Sequence, residues 1–318
     1  MQHAPDLLSY LQVEVDEDPT PGRFVLTGSQ HLGLLASVTQ SLAGRVAVLH
    51  LFPLSLRELR RFESAPKDLW ETLWIGGYPA IQDRGLDAAD WYRNYATTYV
   101  QRDVRQVLEI GDLEAFTTFV RLCAGRTAGE VNLSSLGSDA GVSHNTARSW
   151  LSVLETSFLV FRVPAWHRNV RKQLVRRPKL HMVDPGLACS LLGITGPDQL
   201  RHHPLRGAIF ESWVSSEVLK ARTNAGLDVR CFHVRDAKGL EIDLVVERGL
   251  NVTLAEIKSG ATVSGSWFAP LHKVAETLEA EADVGAVDLV LVHGGDARGR
   301  REGVRLVPWH DITSGPWT

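Results

Sequence analysis

The sequence predicts a multidomain protein of mixed α/β and α+β class. Three observations carry this: β-branched apolar runs near the N-terminus, helical apolar spacing through the middle, and a helix-strand-strand-strand-helix-strand order toward the C-terminus. The 318 residues suffice for two or three buried cores. Hydrophobic residues at 44% and charged residues at 22% are ordinary globular usage, which excludes chain-wide disorder, a collagen repeat and a coiled-coil rod. A formal charge of −3 exerts no global pull on nucleic acid, so any such binding must come from a local basic cluster. Cys123, Cys189 and Cys231 show no CxxC spacing and predict buried reduced thiols, without a disulfide framework or a cysteine zinc site. No apolar run approaches the ~20 residues of a membrane-spanning helix, and the polar N-terminus lacks a signal-peptide apolar stretch. The expected address is therefore cytoplasmic, with no membrane partner.

The first unit covers residues 1–60. Gly22-Arg-Phe-Val-Leu-Thr-Gly-Ser-Gln reads as a buried parallel strand entering a loop, followed by a helix over 32–43. After Gly44, residues 46–52 form a second β-branched run that stops at Pro53. The second unit covers residues 61–192. Trp70, Leu73 and Trp74, then Tyr92, Tyr95 and Tyr99, recur three or four apart and predict core-facing helices broken by Gly76-Gly77-Tyr78-Pro79. Around Leu133 a short helix should close at Gly141, with Ser143 capping a second helix whose Ala147, Trp150, Leu151 and Leu154 form one stripe. Two short strand patterns follow, from Phe158 and from Lys179, as in a winged helix. The chain from Arg162 to Lys179 holds seven basic residues (Arg162, Arg168, Arg171, Lys172, Arg176, Arg177, Lys179) and no acid. With Arg148 on the second helix, Arg168, Arg171, Lys172, Arg176 and Arg177 are the candidate nucleic-acid contacts, and DNA is the expected partner. A solvated loop is the plainer alternative.

The third unit covers residues 193–318. Helix 207–222, strands 229–234, 240–247 and 252–258, helix 267–282 and strand 287–292 give the order αβββαβ. A short turn at Gly249-Leu250 makes the middle strands an antiparallel hairpin that sets Asp243 opposite Glu256 and Glu241 opposite Lys258. Those four share one face, and Ile242, Leu244, Ala255 and Ile257 share the other. Two opposed carboxylates repel unless a cation lies between them, which a hard divalent ion such as Mg²⁺ supplies directly. Lys258 could then position water, and Glu211 on the preceding helix adds a third acid. The plainer alternative is a Glu241–Lys258 salt bridge, with Asp243 and Glu256 solvated near an edge.

Glu211, Asp243 and Glu256-Ile257-Lys258 within αβββαβ order resemble the PD-(D/E)xK restriction-endonuclease-like fold, although Ile242 replaces the common proline. The resemblance implies that Asp243 and Glu256 hold Mg²⁺, that Lys258 assists the water and that Glu211 completes the catalytic set. Thr27-Gly-Ser-Gln, Ser41-Leu-Ala-Gly-Arg-Val, Phe52-Pro-Leu-Ser, Gly76-Gly-Tyr-Pro, Tyr99-Val-Gln-Arg-Asp-Val and the stretch from Lys179 through Asp184 and Gly186-Leu187 extend the likeness. The whole resembles a prokaryotic AAA+ family P-loop ATPase with a C-terminal domain of unknown function, in which a winged helix joins a nuclease-like module. Ser29 and Gln30 would then be remnants of a γ-phosphate sensor and Arg45 an arginine at a nucleotide boundary; a surface role for Arg45 fits equally.

No GxxxxGK[ST] occurs, so the resemblance implies a truncated AAA+ α/β fragment in which ATP hydrolysis by this chain alone is not expected. The runs at 24–26 and 46–51 are expected to expose apolar edges unless a protein partner or a second copy covers them. Two function classes follow. One is a Mg²⁺-dependent nuclease-like protein that holds DNA, and the other a non-catalytic DNA- or protein-binding relative of the ATPases.

Overall fold

The computed structural model of the protein describes residues 7–27, 42, 44–99, 112–166, 177–236, 238–279 and 284–318. Helix α1 (Leu7–Glu17) precedes α2 (Leu56–Leu59), α3 (Leu69–Ile75), α4 (Pro79–Arg84), α5 (Ala88–Tyr99) and α6 (Leu113–Gly125). Strand β1 (Gly129–Glu130), helices α7 (Leu133–Asp139) and α8 (His144–Thr156), and strands β2 (Val160–Val163) and β3 (Lys179–Met182) follow. Helices α9 (Pro185–Leu191), α10 (Pro197–His202) and α11 (Arg206–Asn224) lead into β4 (Cys231–Arg235), β5 (Glu241–Arg248) and β6 (Asn251–Lys258). The chain ends with α12 (Ala269–Glu279), β7 (Val287–His293), β8 (Gly299–Arg301) and β9 (Val304–Pro308).

The helical middle forms where the apolar spacing predicts it. Phe116, Phe119, Leu136, Trp150, Leu151 and Tyr92 share one buried cluster, whereas Trp70, Trp74 and Tyr95 are half-buried at the edges of the cores and the side chain of Tyr99 lies outside what is described. Asn132 and Ser143 cap α7 and α8, each accepting a backbone N–H three residues on. Strands β1, β3 and β2 make a three-stranded antiparallel sheet beside these helices.

The second sheet has the order β4-β5-β6-β7-β9-β8, antiparallel at both ends and parallel across β6-β7-β9. The predicted hairpin forms with the predicted register, from Arg248 opposite Asn251 to Leu244 opposite Ala255. Helix α12 packs on one face with Ile242, Val245 and Leu254. Helix α11 packs on the other with Leu244, Ala255 and Ile257. Ile242 therefore departs from the expected alternation. Between Phe232–Val245 and Val234–Ile242 the register shifts, so Asp243 and Leu244 together oppose His233 alone. This bulge reverses the alternation at the start of β5 and re-aims Asp243.

Helix α11 is buried on nearly every side, because β3 of the first sheet and β6 of the second both pack against it. Glu217 Oε2 accepts the Leu56 N–H at 2.8 Å, and Lys220 Nζ donates to the Leu54 carbonyl at 3.1 Å. This buried pair ties the start of α2 to the helix.

The N-terminal expectation fails in the described residues. Residues 24–27 and 46–52 are not strands, and Val25, Leu49 and Leu51 are 82%, 89% and 93% exposed. No described strand pairs with them, and a lone apolar run without neighbours has no ladder to join. The exposure expected of these runs is present. The helix expected over 32–43 lies outside the described residues, apart from Leu42. The three cysteines are buried and free, as expected. Among the described residues no helix is long and apolar enough to cross a membrane.

Candidate functional site

Six charged side chains converge where β5, β6, α11 and β3 meet. The paired register of the hairpin ends at Leu244 opposite Ala255, one step short of Asp243 and Glu256, and Lys258 joins the two carboxylates. Asp243 Oδ2 accepts from the Ile257 N–H at 2.9 Å and from Lys258 Nζ at 3.0 Å. Lys258 Nζ also lies 2.6 Å from Glu256 Oε2. The other oxygen, Glu256 Oε1, is buried and meets no partner. Glu211 points from α11 into the same cluster, where its Oε1 accepts from Lys179 Nζ at 2.8 Å. Lys179 further contacts Glu241 at 2.6 Å and Asp243 Oδ1 at 3.6 Å.

This arrangement overturns the plainer alternative. Glu241 pairs with Lys179 and Arg235, not with Lys258. Asp243 and Glu256 are 6% and 3% exposed, in central strands and away from any edge. The cations that offset their repulsion are lysines. Lys179 itself leaves the basic block to which its sequence neighbours assign it, since the strand that carries it turns its side chain into the acids.

Two ammonium groups face four carboxyl groups, and the imbalance governs protonation. Burial pushes the Glu256 carboxyl up to about 8, reinforced by Asp243 and opposed by Lys258. Burial also pushes Glu211 up to about 8, with Asp243 adding to it and Lys179 opposing it. For Asp243 burial works the same way, but Lys179, Lys258 and the Ile257 N–H outweigh it and hold the carboxyl below its ordinary value. At neutral pH the cluster thus combines an ionised aspartate with two glutamates able to hold protons.

Among the described residues no three His, Cys, Asp or Glu side chains come together in a way that could hold a metal ion. Mg²⁺ needs fewer, since one or two carboxylates suffice when water and phosphate oxygens fill its shell. The hard oxygens of Asp243 and Glu256, with Glu256 Oε1 unclaimed, fit that smaller demand.

Behind the cluster lie two buried histidines, His181 and His233. His233 Nε2 donates to the Arg177 carbonyl at 3.0 Å, and His181 Nδ1 lies 3.0 Å from Ser212 Oγ. Their remaining nitrogens, His233 Nδ1 and His181 Nε2, are buried without partners. Burial pushes His181 well below its ordinary value and His233 down to about 4, so both are neutral.

The other candidates among the described residues sit apart from this cluster. Arg148 is exposed on α8, and Arg177 is exposed just before β3. Arg162 pairs with Glu155 at 2.5 Å. Arg168, Arg171, Lys172 and Arg176 lie outside the described residues, as do Ser29 and Gln30. Arg45 forms an ion pair with Asp16 at 2.5 Å. Gly76-Gly-Tyr-Pro and Asp184-Pro-Gly serve packing. Asp184 accepts from the Gly77 N–H at 2.7 Å, the Tyr92 hydroxyl at 2.7 Å and the Leu187 N–H at 2.8 Å. Gly76 has φ +68°, and a Cβ there would stand 2.6 Å from Asp184 Oδ1.

Sequence reasoning missed Lys179 and the part that Glu241 plays. Its one available signal was a charged residue opening an otherwise apolar strand, Lys179-Leu-His-Met-Val.

Comparison with known proteins gives matches along most of the chain. Residues 1–60 match the family model of an AAA domain. Residues 66–198 and 206–312 match two domains of unknown function, DUF8612 and DUF4143. The chain is 30% identical over 267 residues to the uncharacterized proteins Rv2008c of Mycobacterium tuberculosis and Mb2031c of Mycobacterium bovis. The aligned region is 83% of this chain and 58% of each relative, so the chain spans less than two thirds of their length. The N-terminal segment is AAA-like, and on these matches the chain is ATPase-related.

Proposed function

We propose that this ATPase-related protein carries, in its C-terminal unit, a Mg²⁺-dependent site for DNA phosphodiesters of the PD-(D/E)xK nuclease-like kind. One observation carries the reading: Asp243, Glu256 and Lys258 meet on adjacent strands, and one buried oxygen of Glu256 has no partner. Asp243 and Glu256 would hold the ion, which when bound lowers the pKa of water and screens phosphate charge. Lys258 Nζ, in contact with both carboxylates, would orient the attacking water and neutralise charge that develops on the phosphate. Glu211, its carboxyl raised by burial, would take or release a proton beside them.

The middle unit supports a DNA-holding role. Helices α7 and α8, followed by antiparallel β2 and β3, have the element order of a winged helix. Exposed Arg148 and Arg177, with Arg168, Arg171, Lys172 and Arg176, would contact phosphates and make binding steeply salt dependent. ATP hydrolysis by this chain alone forms no part of the proposal.

Purified protein incubated with plasmid and Mg²⁺ tests the reading. The expected result is cleavage that Asp243→Ala and Glu256→Gln each abolish, whereas equal cleavage by the variants assigns the activity to a contaminant and rejects the site. One observation favours a second reading, a non-catalytic DNA- or protein-binding relative: both Asp243 oxygens already face ammonium groups. Wild-type protein that retains plasmid in a gel shift without cutting it would support that reading.

A further inference from the structure

The acidic cluster is held by a lysine that its own sheet does not supply. Lys179 opens β3 of the three-stranded sheet, yet its side chain is 2% exposed and its ammonium lies among Glu211 of α11 and Glu241 and Asp243 of β5. A buried lysine without partners tends to lose its proton. Here burial also opposes the charge, but Glu211, Asp243 and Glu241 outweigh it and keep Nζ protonated. One monovalent cation, carried by a different sheet, therefore holds three carboxylates together.

The position of Asp243 gives this contact its consequence. Its Oδ2 is taken by the Ile257 N–H and Lys258 Nζ, and its Oδ1 faces Lys179 Nζ at 3.6 Å. Neither oxygen is free of a positive neighbour. A second cation can reach Asp243 only by driving an ammonium away, and the long Lys179 contact is the weaker of the two. Like charges a few ångströms apart in a buried site repel strongly enough to make the two occupancies compete. Lys179 does not depend on Asp243, because Glu211 and Glu241 lie nearer and can retain it.

We propose that Lys179 is a positioning residue that serves as the resident counter-ion of the site: it gathers Glu211, Glu241 and Asp243 and competes with a divalent cation for Asp243. The proposal rests on the reading of Asp243 and Glu256 as the metal-holding pair. It makes the site composite, since β3 sets where the ammonium stands.

Mn²⁺ binding, followed by electron paramagnetic resonance on the full chain, tests this without reference to activity. Lys179→Met is expected to bind Mn²⁺ about tenfold tighter than wild type or more, since it removes a competing charge. Lys179→Arg, which keeps the charge, is expected to stay near wild type. Asp243→Asn, added to Lys179→Met, should erase the gain. Because Lys179→Met leaves buried acids unopposed, Lys179→Met with Glu211→Gln is measured against Glu211→Gln alone, with folding checked by circular dichroism. The same tightening is expected in that pair. Equal or weaker Mn²⁺ binding after loss of Lys179, in folded variants where Asp243→Asn still abolishes binding, overturns the counter-ion role and leaves the metal site standing. Absence of Mn²⁺ binding in every folded variant overturns both.

Discussion

His233 shows how a single residue makes stability depend on pH. Its Nε2 donates to the Arg177 carbonyl, so Nδ1 carries the lone pair and meets no partner. Burial pushes its pKa from 6.5 down to about 4. As pH falls, the unfolded chain takes up the proton first, so stability is lost between about pH 6.5 and pH 4. His233→Gln keeps a donor for the Arg177 carbonyl but does not titrate. It is predicted to reduce that loss by on the order of 2 kcal/mol, read as the change in urea unfolding free energy between pH 7 and pH 4.5. Identical pH slopes in the two proteins would contradict this. The sequence made some residues of the site legible and hid others. Asp243, Glu256 and Lys258 could be grouped because a short turn at Gly249-Leu250 fixes the register as far as Leu244 and Ala255, although the bulge then breaks the alternation that the sequence suggests at Asp243. Lys179 could not, because its partners are set by the docking of two sheets and no local period encodes that contact.

At the level of elements, helices α7, α8, α11 and α12 and the hairpin followed from apolar spacing and capping, whereas two features did not. The bulge at Asp243 and Leu244 carries no glycine or proline to announce it, and it appears only through the pairing of β4 with β5. The N-terminal runs have strand composition without a described partner strand, so composition alone misassigned them. Asp184 links elements that the sequence presents as separate motifs: the turn after α3, helix α5 and the start of α9. Two donors converge on its Oδ1 and one on its Oδ2. In Asp184→Asn, one oxygen becomes an amide donor facing another donor. The expected cost is about 2 kcal/mol, seen as a lower midpoint in urea denaturation with an unchanged slope. An unchanged midpoint would remove Asp184 from this role.

Across the whole molecule, α11 is the element around which the middle and C-terminal units are organised. It packs against both sheets, ties down α2 through Glu217 and Lys220, and presents Glu211 to the charged cluster. The cluster is therefore a property of the assembled chain, with β3, α11, β5 and β6 each supplying part of it. Leu54 and Leu56 of the AAA-like match at residues 1–60 are held by α11, and none of the described residues of that match contributes a side chain to the charged cluster. On the proposed reading, Asp243 and Glu256 hold a divalent cation between them. Crystals of the full chain grown with Mn²⁺ test it most directly through anomalous scattering. The expected result is a peak about 2.1 Å from one oxygen of each carboxylate, the distance of a Mg²⁺-like ion. A map with no peak there, and with both lysine ammonium groups still seated on the carboxylates, would contradict it.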